Sequence, residues 1–381
     1  MGIPSFTTSS AAGSSVAGLL GFSLALGATA AGLRSLVPPP AEYGLAAKLA
    51  YLEERGGEVD TLFLGSSRVA YGIDAPAFDR HMAELGKPTH SFNLGVGGMT
   101  TLEANQVLTR LLDLRLPALR TVIIEFEAWD ARIYDQKNSL SNRSIGWHTP
   151  TDTRQALQAL GNTPLPTRRD EPRRWRRNES ITHLRALALN LFSVGAGPRT
   201  LSSLSRADSP WRSDPWLSAA DLEERAGFQD LSASDDEFRR RGHEAFLARP
   251  GKFTRRVERI PAGNQATVPL ANHFNLPALA AQIARLRAAG LRPVYFTPPG
   301  KLAQPLGRCL ATAGLLPAYL SFNEPLRYPE LYAIENRNDA DHLNGHGAAL
   351  LAGHLAREFS ALPPPAHTDS TAGPGTEPCS L

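Results

Sequence analysis

The sequence predicts an α/β fold in which helices cover both faces of a parallel sheet. Three observations lead to this prediction: apolar stretches of strand length, helical patterns between them, and enough apolar residues for a sizeable core. Strands that alternate with helices along a chain are typical of parallel sheets. The chain has 381 residues, of which 42% are hydrophobic. It is therefore long enough for one large domain or two small ones.

Short apolar runs predict the strands. The first run ends at Leu64, directly before Gly65, and the second ends at Leu94, directly before Gly95. The third and fourth runs read "TVIIEF" and "PVYFT". We predict four buried strands and a shorter fifth one, over residues 59–64, 90–94, 121–126, 293–297 and 319–322.

Helical patterns separate these runs. "TLEANQVLTRLLDLRL" has leucines at helical spacing and a plausible cap at Thr100 or Thr101. "NLPALAAQIARLRAAGLRP" has a cap at Asn275, Pro277 in its first turn, and Gly290 as its stop. "GHGAALLAGHLAREF" closes the domain as a last helix.

The N-terminal region, residues 1–37, predicts a membrane segment or a signal. Residues 14–33 carry no charge, and an apolar helix of that length can just span a bilayer core. A cleaved signal peptide is one alternative, because residues 28–30 resemble a small-residue cleavage site. A core helix of small residues is another. Arg34 follows the run and no basic residue precedes it, so charge argues against an external domain and the orientation stays open.

The strand–helix rhythm is lost over residues 131–271. We interpret this stretch as an insertion that covers one end of the sheet and separates two parts of one domain, residues 38–130 and 272–361. The arginine-rich runs within it could bind an anionic polymer or lipid head groups, or could form solvated helix faces. Residues 362–381 are rich in Pro, Gly, Ser and Thr, so we expect a disordered tail.

The composition argues against two classes of function. Forty basic and 37 acidic residues give a net charge of +3, which is too even to imply nucleic acid as a partner. The two cysteines, Cys309 and Cys379, form no CxxC pair and no cluster with zinc spacing. We therefore expect neither a metal nor an organic cofactor.

Polar residues collect where ligands bind in open parallel sheets, beyond the carboxyl ends of the strands. Ser66 and Ser67 follow the first predicted strand, residues 95–100 follow the second, and residues 339–344 precede the last helix. A serine becomes nucleophilic when a histidine takes its proton, a carboxylate orients that histidine, and backbone N–H groups hold the oxyanion. The structural alternatives are helix capping by serine and tight turns at glycine.

In these residues the chain resembles the SGNH, or GDSL-like, hydrolase superfamily. The first block of that family is a strand followed by Gly-Asp-Ser. Here it is "GSS", which places Ser67 on the nucleophile and Ser66 on the usual Asp. The second block is an Asn followed by a Gly that donates to the oxyanion. Here "NLGVGG" places Asn93 and Gly98 at these positions, and the Ser67 N–H would be the other oxyanion donor.

The last block of the family is Asp-x-x-His before a C-terminal helix. In this chain Asp339 and His342 match it. Asp341 is too close in sequence to His342 to orient its ring easily, so Asp339 is the expected acid. The resemblance thus implies a Ser67–His342–Asp339 triad, and we expect Arg68 and Asn344 to support it.

The third block departs from the family pattern, which has Gly-x-Asn-Asp. This chain has "EFEAWD", so Trp129 stands near the position of the third oxyanion donor. The resemblance covers residues 38–130 and 272–360 and implies a flavodoxin-like three-layer α/β/α sandwich. The "GSSR", "FNLG" and "DHLN" stretches look closest to the membrane-anchored cell-envelope branch of the superfamily. That branch includes proteins similar to teichoic-acid D-alanyl transfer and alginate O-acetylation proteins.

The resemblance implies an O-acyl esterase or O-acyltransferase that acts on a cell-envelope glycan. Its partners would be an acylated glycan or acyl donor, the membrane, and a membrane-bound acyltransferase, with the domain in the periplasm or outside the cell. The alternative is a non-catalytic member that binds glycan or assists a membrane acylation or export complex. Ser66 in place of Asp favours this alternative.

Overall fold

One parallel sheet organises the fold. The computed structural model describes residues 9–36, 44–127, 142–162, 172–192, 217–233, 236–266 and 276–364. Within this part, the strands are β1 (Thr61–Leu64), β2 (Ser91–Asn93), β3 (Thr121–Glu125), β4 (Arg292–Thr297) and β5 (Tyr319–Ser321). Their order in the sheet is β2-β1-β3-β4-β5.

The described α-helices lie before, between and after the strands in sequence, and several belong to the insertion. In chain order they are α1 (Ser9–Leu36), α2 (Leu45–Arg55), α3 (Ser67–Ala70), α4 (Ala75–Glu84), α5 (Thr101–Leu114), α6 (Asn142–Trp147), α7 (Pro150–Asn162), α8 (Pro172–Leu191), α9 (Ala219–Glu223), α10 (Glu237–Leu247), α11 (Pro250–Val257), α12 (Ile260–Asn264), α13 (Leu276–Ala288), α14 (Leu306–Thr312) and α15 (Gly345–Ala361). Short 3-10 helices cover Gly56–Glu58, Leu231–Ala233, Pro329–Tyr332 and Ile334–Asn336.

The pairing of the strands confirms the predicted parallel sheet. Thr61 of β1 is in register with Ser91 of β2 on one side and with Thr121 of β3 on the other. β4 and β5 extend the sheet beyond β3, also in parallel. Each of the five predicted stretches overlaps a strand, and the observed ends differ from the predicted ones by at most two residues. The chain adds β2 on one side of β1 and all later strands on the other, so the connections reverse direction between β1 and β3.

Alternate residues of the strands enter two cores, one on each face of the sheet. On one face, Leu62, Leu64 and Ile124 pack with residues of α2, α5, α13 and α14. On the other face, Phe63 and Phe296 pack with residues of α4 and α15. Helices therefore cover both faces, and the predicted α/β class is confirmed.

Local signals at the helix ends agree with the structure where it is described. Thr100 is the N-cap of α5, and its side chain accepts a hydrogen bond from the N–H of Glu103. Gly290 follows α13 with a φ of +74°, the left-handed conformation that ends helices at glycine. The predicted cap of that helix, Asn275, lies outside the described residues.

The uncharged run at residues 14–33, predicted as a membrane segment or signal, falls within α1, which extends beyond it at both ends. None of the helices that the structure describes is both long and apolar enough to cross a membrane. Residues 365–381, most of the predicted tail, lie outside the described part of the chain.

The described parts of the insertion are largely helical and pack into the domain. Phe246 of α10 and Phe253 of α11 meet edge to face and belong to the second core. In α8, Trp175 packs against the first core, and Arg176 donates a hydrogen bond to the carbonyl of Gly161 at 3.0 Å. The insertion therefore shares the hydrophobic cores of the sheet.

The first turn of α15 packs closely against the segment that precedes it. A Cβ atom on Gly347 would lie 2.1 Å from the carbonyl oxygen of Asn336, whereas one on Gly161 in α7 would meet nothing within 4 Å. We expect Gly347→Ala to destabilise the fold by about 1–3 kcal/mol, because backbone must move to admit the methyl group. Gly161→Ala is the matched control and is expected to be neutral or stabilising by about 0.5–1 kcal/mol. Urea unfolding of both variants measures the effects, and equal stabilities would contradict the close packing.

Candidate active site

A sharp turn at residues 65–67, here called the serine turn, leads from β1 into α3 and contains Ser67. Gly65 allows the turn, because a Cβ atom there would come within 2.4 Å of Val69 Cγ2. Ser66 is the N-cap of α3, and its Oγ accepts the N–H of Arg68 at 3.3 Å. Ser67 is then the first residue of the helix, half-buried at the carboxyl edge of the sheet.

Ser67, His342 and Asp339 form a continuous chain of hydrogen bonds. His342 Nε2 lies 2.8 Å from Ser67 Oγ. On the other side of the ring, Nδ1 lies 3.0 and 2.9 Å from the two carboxylate oxygens of Asp339. The three side chains have the order that a nucleophile, a base and an orienting acid require.

The segment that carries His342 and Asp339 is tied to its own backbone. Asp339 Oδ1 accepts the N–H groups of Asp341 and His342 at 2.7 and 2.9 Å. The buried guanidinium of Arg337 donates to the carbonyls of Asp339 and Ala340, both at 3.1 Å. Asp341 turns away from the imidazole. Its carboxylate instead pairs with the ammonium of Lys301.

Asp339 is ionised over a wide pH range. Burial raises the pKa of this carboxyl, but hydrogen bonds from the ring and backbone of His342 and from the backbone of Asp341 outweigh it and lower the pKa to about 2. An ionised carboxylate at this position stabilises an imidazolium, which forms when a histidine takes a proton.

The glycine loop, residues 94–100, lies beside the serine turn. Gly98 has a φ of +69°, in the left-handed region that favours glycine. Among the described residues, neither the Ser67 N–H nor the Gly98 N–H donates a hydrogen bond to another group of the chain. Such unpaired N–H groups are the donors that an oxyanion hole needs.

Asn93 connects the glycine loop to the segment that follows the serine turn. Its fully buried amide donates to the carbonyls of Val69 and Ile73, both at 2.8 Å. Its Oδ1 accepts the N–H of Gly95 at 2.9 Å. Asn93 therefore positions the two chain segments without contacting Ser67 or His342.

A buried carboxylate that the sequence analysis missed lies beneath the serine turn. Glu125, the last residue of β3, accepts the N–H of Ser66 at 2.5 Å and forms an ion pair with Arg68 at 2.7 Å. Arg68 also pairs with Glu127 at 2.5 Å. Burial lowers the pKa of Arg68, but the two carboxylates outweigh it and the pKa is raised. The signal in the sequence is a charged residue at the carboxyl end of an otherwise apolar strand.

Tyr71 is a second residue that the motifs did not reveal. Its ring packs edge to face against the imidazole of His342, with 5.6 Å between the ring centroids. Arg239 of the insertion donates to the Tyr71 hydroxyl at 2.8 Å. Asn344 lies further away and is the N-cap of α15, where it binds Glu335 and Gly347.

The described arrangement suits acyl transfer through a serine. It contains a serine hydroxyl, an imidazole, a carboxylate and two unpaired backbone N–H groups. Trp129, the residue near the expected position of a third donor, lies outside the described residues. In the part of the chain that the structure describes, no group of three or more His, Cys, Asp or Glu side chains could hold a metal ion.

Comparison with known proteins found no family model that matches the chain, and no curated protein or solved structure that matches it. The physical argument for function therefore depends on the geometry of the site.

The low pKa of Asp339 predicts a pH dependence of stability. The pKa is about 2 in the folded protein against an ordinary value of 3.8, so the ionised carboxylate stabilises the fold most above pH 3.8. This contribution is lost as the pH falls from about 4 to about 2. We expect Asp339→Asn to be less stable than the wild type at pH 5, and the difference in free energy of unfolding to narrow across that window. Urea unfolding at a series of pH values measures it; a gap that does not change with pH would contradict the prediction.

Proposed function

We propose that this protein is a serine esterase or O-acyltransferase of the SGNH type. Ser67 is the nucleophile, His342 the base and Asp339 the acid that orients the base. The observation that carries the proposal is the continuous chain of hydrogen bonds among these three side chains at the carboxyl edge of the sheet. A serine that only capped a helix would not need a histidine and a carboxylate in this alignment.

The strand order supports the same proposal. The order β2-β1-β3-β4-β5 is the flavodoxin-like one, in which ligands bind where the connections reverse direction. Ser67 follows β1, one of the two strands at that reversal, and the glycine loop follows the neighbouring β2. We therefore infer a flavodoxin-like three-layer sandwich whose substrate lies against the serine turn and the glycine loop.

The reaction proceeds through an acyl-enzyme. His342 Nε2 takes the proton of Ser67 Oγ while the oxygen attacks the acyl carbonyl carbon, and the oxyanion is held by the N–H groups of Ser67 and Gly98. Collapse breaks the bond to the leaving oxygen, which receives the proton from His342. In the second half, water or a sugar hydroxyl gives its proton to His342 and attacks the acyl carbon. Collapse of this second intermediate breaks the ester bond to Ser67 Oγ, which takes the proton back from His342. Water completes hydrolysis and a sugar completes transfer.

The proposed class of substrate comes from the family resemblance alone. That resemblance favours a cell-envelope glycan, and it favours a domain that α1 places at a membrane outside the cytoplasm. Both stay predictions from the sequence.

Labelling with a fluorophosphonate probe tests the proposed nucleophile. Such probes react rapidly with an activated serine, so we expect the wild-type protein to be labelled and Ser67→Ala to remain unlabelled. His342→Ala should lose the labelling as well, because the serine then lacks its base.

Ser66→Ala is the matched control. The variant removes the adjacent hydroxyl, so it should be labelled like the wild type while losing about 1 kcal/mol of stability from the lost cap. A folded wild-type protein that resists the probe would favour the non-catalytic alternative, and loss of labelling in Ser66→Ala alone would place the nucleophile one residue earlier.

A further inference from the structure

A buried lysine and a largely buried arginine contact the backbone of the glycine loop. Lys48 of α2 donates to the carbonyl of Gly95 at 2.7 Å, and Arg143 of α6 donates through Nη1 to the carbonyl of Gly97 at 2.6 Å. Burial lowers the pKa of Lys48 to about 7, despite the opposing effect of Asp221, so its charge changes near neutral pH. An arginine stays charged over the whole range in which enzymes work. Arg143 therefore brings a guanidinium, with its rigid fork of N–H donors, to this loop.

Arg143 is itself held in place by a carboxylate. Its Nε lies 2.7 Å from Oε1 of Glu103, which belongs to α5 directly after the glycine loop. The Arg143 and Glu103 side chains are only 11% and 3% exposed. A cation from the insertion is thus fixed between the first turn of α5 and the loop that precedes it.

Arg143 donates its hydrogen bond to the peptide group that joins Gly97 and Gly98. The carbonyl of Gly97 and the N–H of Gly98 belong to the same planar trans peptide, so they point in opposite directions. A charged donor on the carbonyl fixes the plane and also polarises it, which makes the N–H a stronger donor. Within the described residues, this N–H makes no hydrogen bond.

Two contacts link the glycine loop to residues that neighbour Ser67 and His342. A Cβ atom built on Gly97 would lie 3.2 Å from the hydroxyl of Tyr71, whose ring packs against His342. Val96 donates its N–H to the carbonyl of Gly65 at 2.9 Å, which joins the glycine loop to the serine turn.

We propose that Arg143 is a positioning residue of the oxyanion hole: it orients and polarises the Gly97–Gly98 peptide so that the Gly98 N–H stabilises the developing oxyanion. The inference rests on the proposed function and adds to it a residue from the insertion, a part of the chain that the family resemblance does not cover. Arg143 acts through the peptide and does not touch the reacting atoms.

A graded set of substitutions at Arg143 tests this role. Arg143→Lys keeps a cationic donor, Arg143→Gln keeps a neutral donor, and Arg143→Met keeps only the bulk. We expect kcat for an aryl acetate to fall in that order, with a loss of roughly tenfold to a hundredfold in the Met variant and little change in KM. Arg177→Met, which removes an exposed arginine from α8 of the same insertion, is the matched control and should keep the wild-type kcat. Equal kcat in the Met variant and the wild type, or a loss that appears mainly in KM, would overturn the inference.

A measurement independent of activity separates this inference from the proposed function. The amide nitrogen resonance of Gly98 responds to the hydrogen bond on the preceding carbonyl, so it should move upfield in the Gln variant and further in the Met variant. An unchanged resonance would overturn the role of Arg143 whatever the kinetics. A wild-type protein inert to fluorophosphonate would instead overturn the proposed function and, with it, the catalytic consequence of the contact. If the Met variant does not fold, the Lys and Gln variants still decide the order.

Discussion

The buried amide of Asn93 is the interaction on which the geometry of the site depends. It donates hydrogen bonds to the carbonyls of Val69 and Ile73 and accepts one from the N–H of Gly95 in the glycine loop. These bonds fix the segments that follow β1 and β2 relative to each other. If the amide were absent, the carbonyl of Ile73 and the N–H of Gly95 would lose this partner, at a cost of about 1–3 kcal/mol apiece, whereas the carbonyl of Val69 also accepts the N–H groups of Gly72 and Ile73. Glu125 completes the arrangement from β3 by binding the N–H of Ser66.

Much of the fold could be predicted from local patterns. The strands were visible because buried parallel strands are short and apolar, and the cap at Thr100 and the stop at Gly290 depend on residues close in sequence. The residues Ser67, His342 and Asp339 could also be singled out, since each lies beside a strand end or the last helix. The alignment of the three side chains depends on tertiary contacts, which the motifs suggest but do not determine.

The remaining features depend on contacts between distant segments that have no local signature. Arg143 meets Gly97 across 46 residues, and Arg239 meets Tyr71 across 168 residues. Both arginines come from the insertion, where strand–helix alternation gives no guide to packing. Glu125 differs from these residues: the sequence analysis missed it, although a carboxylate at the end of an apolar strand is a local signal. Its partner, the Ser66 N–H, still required the structure.

The two halves of the triad lie on opposite sides of the insertion. Ser67 and the glycine loop precede it, whereas Asp339 and His342 are three residues apart in the last part of the chain. Asp339 and His342 therefore belong to one local unit, held by their own hydrogen bonds, and Ser67 and the glycine loop belong to another. The two units are joined through the pairing of β3 with β4. The geometry of the proposed site therefore depends on how these two parts of one chain dock against each other, and on the contact that Arg143 of the insertion makes with the glycine loop.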